Sequence, residues 1–211
     1  MLNSENLLLI FTRNPEFGKV KSRLAADVGK QSALDIYKFL LSHTKKVTKN
    51  LKVDKQVWYS DKVTKNDIWD NEVYSKLTQL QIDDLGKRMK YAFEKGFEAG
   101  YKNIIIIGSD LYDINEEDLR NAFKILRNNE ALIGPAEDGG FYLLGLSQMI
   151  PELFSKKNWG TNSVLTSTLE NLKNYTFEAL DEKNDVDYLI DIQDISIFQQ
   201  FLAKRKTRDK Q

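Results

Sequence analysis

Four consecutive isoleucines, residues 104–107, constrain the fold of this chain more than any other feature. Because all four side chains are apolar and β-branched, the segment has no polar face, and both of its faces are expected to be buried. Burial on both faces is typical of a central strand in a parallel sheet that is covered by helices. Such sheets bind ligands just beyond the carboxyl ends of their strands, which is where Asp110 falls. Two roles are open to this carboxylate, capping the next helix or holding a divalent metal against a phosphate.

Patterns typical of strands and of helices alternate along the chain. The strand-like "NLLLIFTR" precedes the helical periodicity of "SALDIYKFLLSHTKKV", and "KQVWYS" is strand-like again. A short strand at "TQLQ", the amphipathic "LGKRMKYAFEKGFEAG" and the capped "NEEDLRNAFKILRNN" continue the alternation. This order predicts βαβ units and an α/β fold with a mostly parallel, doubly wound sheet. The length predicts a single domain over residues 1–211, with a frayed basic tail at 204–211.

Composition excludes several classes of function. The 31 basic residues equal the 31 acidic ones, so no global field draws the chain to nucleic acid or to an anionic membrane. Any phosphate binding must therefore come from local basic clusters. Cysteine is absent, which excludes disulfides and thiolate metal sites, and the single histidine cannot form a multi-histidine metal site. The first residues fit neither a signal peptide nor a membrane span, so a cytoplasmic protein is expected.

The loop after the first strand, "TRNPEFGKVKSRL", carries a cluster of cations. Arg13, Lys19, Lys21 and Arg23 lie within one strand-to-helix connection that contains Gly18. The spacing fits neither a Walker phosphate loop nor a dinucleotide-binding fingerprint. Four cations and free backbone amides at the start of a helix suit a polyphosphate. A solvated basic loop is the alternative, since runs of charge usually face water.

Two further segments contain acids in unusual settings. In "GPAEDGGFYLLGL", Gly139 and Gly140 would let the backbone approach a ligand, and Asp138 could accept hydrogen bonds or bind metal. The same letters also fit an ordinary hairpin turn between two apolar runs. We expect this segment to follow a strand beside the one that ends at Asp110, which would place both carboxylates at one sheet edge. Near the carboxyl terminus, "NDVDYLIDIQD" does not fit a calcium loop, and some of its acids are expected to cap helices. Its four aspartates are Asp185, Asp187, Asp191 and Asp194.

Taken together, these segments resemble one family of small bacterial transferases. The ordered set "FTRNPEFGKVKSRLA", "LGKRM", "IIIIGSDL", "GPAEDGGFYLLGL", "WGT" and "DVDYLID" is similar to that of the radical-SAM/selenodomain-associated transferase one family, also named arsenosugar-biosynthesis glycosyltransferases. The resemblance covers nearly the whole chain and extends to phospholactate guanylyltransferases, which share a "KSRL"-like first loop. This chain departs from the family pattern at Tyr112, where a proline is usual, and at Tyr188, where a threonine is usual.

The resemblance implies a GT-A-like (Rossmann-like) three-layer α/β/α sandwich of the nucleotide-diphospho-sugar transferase superfamily. It implies Mg²⁺ or Mn²⁺ at Asp110 and Asp187, with Asp110, Asp138 and Lys21 as catalytic groups. The implied nucleotide and phosphate contacts are Arg13, Gly18, Lys19, Lys21, Arg23, Ser109, Gly139 and Gly140.

Three functions are compatible with that site. The family favours glycosyl transfer from a nucleotide-sugar to a small-molecule acceptor that the sequence does not identify. The basic loop would suit the triphosphate of a nucleotidyltransferase, which transfers a nucleoside monophosphate to a phosphorylated acceptor. A nucleotide-binding protein without catalysis is the third possibility, and nothing in the sequence indicates the oligomeric state.

Overall fold

The computed structural model describes residues 4–202, so the predicted tail at 204–211 lies outside the described residues. A single seven-stranded sheet has the order β3-β2-β1-β4-β6-β5-β7. Its strands are β1 (Asn6–Thr12), β2 (Asp54–Tyr59), β3 (Ser75–Thr78), β4 (Asn103–Ile107), β5 (Ala131–Pro135), β6 (Phe141–Leu146) and β7 (Phe177–Ala179). Four neighbouring pairs are parallel, and β6 is antiparallel to both of its neighbours. The prediction of an α/β fold with a mostly parallel mixed sheet is confirmed.

Five α-helices cover the two faces of the sheet. They are α1 (Ser22–Val28), α2 (Lys30–Thr48), α3 (Leu85–Glu98), α4 (Glu116–Leu126) and α5 (Val164–Leu172). Short 3₁₀ helices lie at Pro151–Phe154, Leu189–Asp191 and Ser196–Phe198. In residues 4–202, none of the helices combines the length and the apolar character needed to cross a membrane.

The four isoleucines form the core of β4, which lies in the centre of the sheet. Ile105 and Ile107 pack in the same apolar cluster as residues of α2 and α4, while Ile104 and Ile106 pack with residues of α3 and α5. Successive side chains of a strand point to opposite faces, so an uninterrupted apolar run is needed where helices cover both faces. The three-layer arrangement follows from this burial.

The helix that follows β4 has its own cap, and this decides one of the open alternatives. Asn115 caps α4, because its side chain accepts a hydrogen bond from the Asp118 amide while the Asp118 carboxylate accepts one from the Asn115 amide. The capping role considered for Asp110 is therefore wrong.

Two expectations about strands are also corrected. The third strand is Ser75–Thr78 and so begins three residues before the "TQLQ" segment. The hairpin strand that pairs with β4 is β6, not β5, because the β5–β6 hairpin folds back so that Ile104 pairs with Leu146. Since β6 is antiparallel to both β4 and β5, the latter two run in the same direction. The Asp138 turn therefore still lies at the sheet edge where β4 ends.

Candidate active site

Lys21 is the central cation at this edge of the sheet. Its side chain is only 4% exposed, and its Nζ lies 2.8 Å from Asp110 Oδ2 and 2.8 Å from Asp187 Oδ1. The residue immediately precedes α1 and has left-handed backbone angles, φ 47° and ψ 51°. A non-glycine residue in this region costs about 1–2 kcal/mol. The two ion pairs offset that cost and fix the ammonium between two carboxylates.

Backbone contacts bring the two carboxylates together from distant parts of the chain. Asp110 follows β4, and a Cβ at Gly108 would lie 2.7 Å from Asp110 Oδ1, so the glycine leaves room for the carboxylate. The segment with Asp187 returns to the same place, because Asp185 pairs with Leu111 in an antiparallel bridge and the Val186 amide donates to the Asp110 carbonyl.

Lys21 and Asp187 stabilise each other's charged forms. Burial by itself would lower the pKa of Lys21, but the charges of Asp110 and Asp187 hold it well above its ordinary value. Burial by itself would raise the pKa of Asp187, but Lys21 and then Arg23 hold it below its ordinary value. The Lys21 ammonium and the Asp187 carboxylate are therefore both charged at neutral pH.

Asp185, one of the four aspartates near the carboxyl terminus, adds a further acid to this cluster. Burial, followed by the charge of Asp110, raises the pKa of Asp185 to about 8 against the opposing effect of Lys21. Asp138 and Asp187 raise it further. The bridge of Asp185 with Leu111 places it beside Asp110, and it lies two residues before Asp187. Its place in the "DVD" motif was the only sequence signal for it.

A polar cavity of about 650 Å³ opens beside the Lys21 ion pairs. Its lining includes Arg13, Lys19, Lys21, Arg23, Gln79, Arg88, Ser109, Asp110 and Asp187. All four predicted loop cations are therefore brought to one cavity, but three of them are already paired. Lys19 is 72% exposed and pairs with Glu16 at 2.7 Å, and Arg23 pairs with Asp187 at 3.2 Å. Among residues 4–202, Arg13 is the loop cation that forms no ion pair.

Arg88 is a charged residue of this cavity that was not predicted from the sequence. Its Nη1 donates to Gln79 Oε1 at 3.2 Å, while its buried Nε has no hydrogen-bond partner within the described part of the chain. Burial, followed by the charge of Arg13, lowers the pKa of Arg88. Two guanidinium groups that repel each other across a cavity favour an anion between them. The "LGKRM" motif contained this signal, but helical periodicity alone makes Arg88 an ordinary polar position at the start of α3.

Ser109 lies under the cavity in a network of hydroxyl groups. Its Oγ donates to Thr12 Oγ1 at 3.1 Å and lies 3.2 Å from the Tyr37 hydroxyl. The Tyr37 hydroxyl also accepts a hydrogen bond from the Arg13 amide at 2.9 Å. This network ties the end of β1 to the loop after β4, and it places the Ser109 hydroxyl among protein partners.

The glycines predicted to approach a ligand have different structural roles. Gly139 has φ 83°, and a Cβ there would lie 2.5 Å from backbone atoms of Asn162. The Gly140 amide donates to Asp138 Oδ1 at 2.8 Å, which holds the hairpin turn. Gly18 has φ 74° in the first loop, and a Cβ there would lie 3.5 Å from the Lys30 side chain. The hairpin alternative is thus correct as a description of the turn, and Asp138 and Gly140 also line a second cavity.

The second cavity has a volume of about 230 Å³ and lies on the other side of Phe11 and Leu85, which line both cavities. Its other walls include Met89, Phe141, Tyr142, Trp159 and Val164, with Asp138 and Asp185 as its acids. This cavity is mainly apolar, in contrast to the polar one beside it.

Asp110 and Asp187 are the residues that could hold a divalent cation. Within residues 4–202, no cluster of three or more acidic, histidine or cysteine side chains has the geometry of a metal site. The two aspartates nevertheless converge on one cationic atom, Lys21 Nζ. Protein-bound Mg²⁺ commonly uses one or two carboxylates and completes its shell with water and substrate phosphates. The pair fits that pattern, with the ammonium at the point of convergence.

The chain belongs to the family described as uncharacterized protein conserved in bacteria (DUF2064), whose model matches residues 43–161. A candidate nucleotide-diphospho-sugar transferase from Desulfovibrio desulfuricans G20 is 30% identical, with a TM-score of 0.81, over 98% of this chain and 96% of that chain. The family resemblance predicted from the sequence is thus supported only in part, by membership of DUF2064 and by similarity to this Desulfovibrio protein. Membership of the radical-SAM-associated family remains a prediction, and no curated protein matches the chain.

More distant solved structures share the fold. A cytidylyltransferase from Leptospira borgpetersenii is 15% identical with a TM-score of 0.56, over 98% of this chain and 95% of that chain. A Mycobacterium tuberculosis H37Rv protein solved with manganese is 12% identical with a TM-score of 0.56, over 95% of this chain and 99% of that chain. At these identities the similarity establishes the fold alone.

Proposed function

We propose that this protein is a divalent-metal-dependent transferase of nucleotide-activated substrates, and that it transfers a glycosyl group from a nucleotide-sugar. The observation that carries the proposal is the polar cavity in which Lys21 bridges Asp110 and Asp187, while Arg13 and Arg88 form no ion pair with any residue in 4–202. Such a cavity has separate places for a cation and for phosphates. The name of the similar Desulfovibrio protein, nucleotide-diphospho-sugar transferase, supports the same class of substrate.

The count of unpaired cations favours a diphosphate over a triphosphate. The sequence suggested four loop cations for a polyphosphate, but Lys19, Lys21 and Arg23 have carboxylate partners. Arg13 and Arg88 remain, and each could donate paired hydrogen bonds to one phosphate group. This supports a nucleoside diphosphate as the leaving group, as in glycosyl transfer from a nucleoside-diphosphate sugar.

The proposed roles follow from position. Asp110 and Asp187 would bind Mg²⁺ or Mn²⁺, which would neutralise charge on the diphosphate as it leaves. Arg13 and Arg88 would hold the phosphates, and Lys21 would contribute positive charge to the same group. In the transfer, the bond between the sugar carbon and the phosphate oxygen breaks as the acceptor oxygen bonds to that carbon. The hydroxyl proton of the acceptor would pass to Asp138.

Binding is tested by isothermal titration calorimetry with ADP, GDP, CDP, UDP and dTDP, each with and without Mg²⁺. We expect metal-dependent binding of one of them, and weaker binding in Arg88→Gln by about 10- to 150-fold, since a charge-assisted hydrogen bond contributes about 1.5–3 kcal/mol. Arg120→Gln is the matched control, because Arg120 pairs with Glu116 and Glu117 on the surface of α4. If no nucleotide binds, or if both variants bind equally, the proposal is wrong.

Turnover distinguishes the three functions. Release of a nucleoside diphosphate from a nucleotide-sugar supports glycosyl transfer, whereas release of pyrophosphate from a nucleoside triphosphate indicates a nucleotidyltransferase. Nucleotide binding with neither product indicates a protein without catalysis. Asp138→Asn should reduce the turnover number and leave the affinity for the nucleotide unchanged.

A further inference from the structure

The mainly apolar second cavity points to the chemical class of the acceptor. We propose that it binds an uncharged molecule that has a hydroxyl group and a flat apolar face, and that it excludes a phosphorylated acceptor. This inference rests on the proposed function, since it names the second substrate of the same site. It is carried by the shape of the cavity and by the signs of the charges around it.

The walls provide flat, fixed apolar surfaces. Phe141 and Trp159 meet edge to face, with ring centroids 6.3 Å apart and an interplanar angle of 83°. A Cβ at Gly86 would lie 2.6 Å from Trp159 Nε1 and 2.5 Å from the Phe154 carbonyl, so the glycine allows the indole to pack closely against α3. Aromatic walls that are fixed in this way favour a ring or another flat apolar group. A volume of about 230 Å³ limits the occupant to a small molecule.

The charges divide between the two cavities. Asp138 and Asp185 are the acidic residues that line the apolar cavity, and its lining within residues 4–202 includes no lysine or arginine. Arg13, Lys21 and Arg88 line the polar cavity instead. A phosphate group in the apolar cavity would face the Asp138 carboxylate without a compensating cation, which is unfavourable in a partly desolvated site. A hydroxyl group could instead donate a hydrogen bond to Asp138.

The position of the cavity suits an acceptor. Phe11 and Leu85 line both cavities, so an occupant of one lies next to an occupant of the other. Asp138 and Asp185 mark the acidic side of the apolar cavity, and Asp185 is close to Asp110 of the polar site. A hydroxyl group held at Asp138 is thus directed toward the cluster where the nucleotide-activated group is proposed to bind.

The test uses a matched pair of probes, 4-methylumbelliferone in mildly acidic buffer, where its hydroxyl is neutral, and 4-methylumbelliferyl phosphate. The protein is labelled with 5-fluorotryptophan, and ¹⁹F NMR follows the Trp159 resonance, which is assigned by its loss in Trp159→Phe. Trp58 and Trp69 are buried in the core and serve as internal references. We expect the neutral probe to shift the Trp159 resonance at concentrations about tenfold lower than the phosphate ester does. In Asp138→Asn, the neutral probe and the phosphate ester should shift the Trp159 resonance at more similar concentrations.

Equal or tighter binding of the ester at Trp159, or no response of Trp159 to either probe, would overturn the proposal. The titrations are repeated in Arg88→Gln, so that ester bound in the polar cavity does not influence the result. In that variant we expect the response of Trp159 to the neutral probe to be unchanged while nucleotide binding weakens. Nucleotide binding without any Trp159 response contradicts the acceptor cavity alone, whereas the absence of nucleotide binding contradicts the proposed function.

Discussion

Replacing Lys21 by methionine tests whether Asp110 and Asp187 form a cation site. Methionine has a similar length and keeps the Cβ, so the left-handed backbone strain is retained while the ammonium is lost. The Lys21 side chain is 4% exposed, and its ammonium nitrogen lies 2.8 Å from a carboxylate oxygen of each aspartate. Removing one partner of a fully buried ion pair costs about 3–5 kcal/mol. Here the cost should be about 1–3 kcal/mol, because both aspartates are more than a third exposed and water screens part of the charge left behind. We expect a loss of this size in the free energy of unfolding, measured by urea denaturation in the presence of EDTA.

Adding Mg²⁺ should then distinguish a metal site from a purely structural ion pair. In Lys21→Met the two carboxylates have no ammonium between them, so Mg²⁺ should restore much of the lost free energy of unfolding. In the unaltered protein Mg²⁺ must compete with the ammonium, and its effect should be smaller.

Lys76→Met is the matched control, because its side chain is 6% exposed and its Nζ lies 2.7 Å from one carboxylate, that of Asp67. This variant should also lose stability, but without recovery in Mg²⁺. A free energy of unfolding of Lys21→Met within about 0.5 kcal/mol of that of the unaltered protein would refute the ion-pair contribution. Equal stabilisation of Lys21→Met and Lys76→Met by Mg²⁺ would refute the metal site.

Two other predictions concern stability away from the ion pairs. Burial raises the pKa of Tyr74 from 10.0 to about 12. The stability that its neutral hydroxyl contributes to the fold is therefore complete below pH 10 and is lost as the pH rises through about 12. Between pH 10 and pH 12, the free energy of unfolding should fall by up to about 2.7 kcal/mol more in the unaltered protein than in Tyr74→Phe. Parallel curves of unfolding free energy against pH for the two proteins would contradict this prediction. Gly139→Ala combines left-handed strain with a contact of 2.5 Å to Asn162. In Gly160→Ala, at φ 81°, the new Cβ would have no atom of residues 4–202 within 4 Å. Measured by thermal unfolding, the free energy of unfolding should fall by about 1–2 kcal/mol in Gly160→Ala and by clearly more in Gly139→Ala. Equal losses of stability would show that the contact with Asn162 relaxes.

The sequence predicted the fold class because its strongest signals are local. Four apolar residues in succession required a strand covered on both faces, and the alternation of strands and helices implied parallel pairing. The order of strands is not a local property. Nothing in the apolar runs around the Asp138 turn indicates that β6, the second strand of the hairpin, pairs with β4. The predicted neighbour of β4 was wrong for that reason.

The site could be predicted only in part. Asp110 follows a strand end, and Lys21 and Asp187 lie in motifs shared with a family, so all three could be singled out before their contacts were known. Their mutual ion pairing depends on the bridge between residues 111 and 185, which no spacing in the sequence reveals. Arg88 was missed because a charged residue in the first turn of an amphipathic helix usually faces solvent. Only the approach of α3 to the first loop brings it beside Arg13.

The distribution of charge explains why a metal–nucleotide complex would fit the polar cavity better than either component alone. On one side, Asp110 and Asp187 share Lys21, with Asp185 close by, so the acids outnumber the buried cation. On the other side, Arg13 and Arg88 have no acidic partners within 4 Å among the described residues. A free diphosphate would be attracted by the two arginines but repelled by the acids. A free metal ion would be attracted by the acids but repelled by the arginines. A diphosphate carrying a divalent cation presents both signs of charge and matches both sides. The affinity of a nucleoside diphosphate should therefore rise with Mg²⁺, because the metal turns the repulsion by the acidic side into attraction.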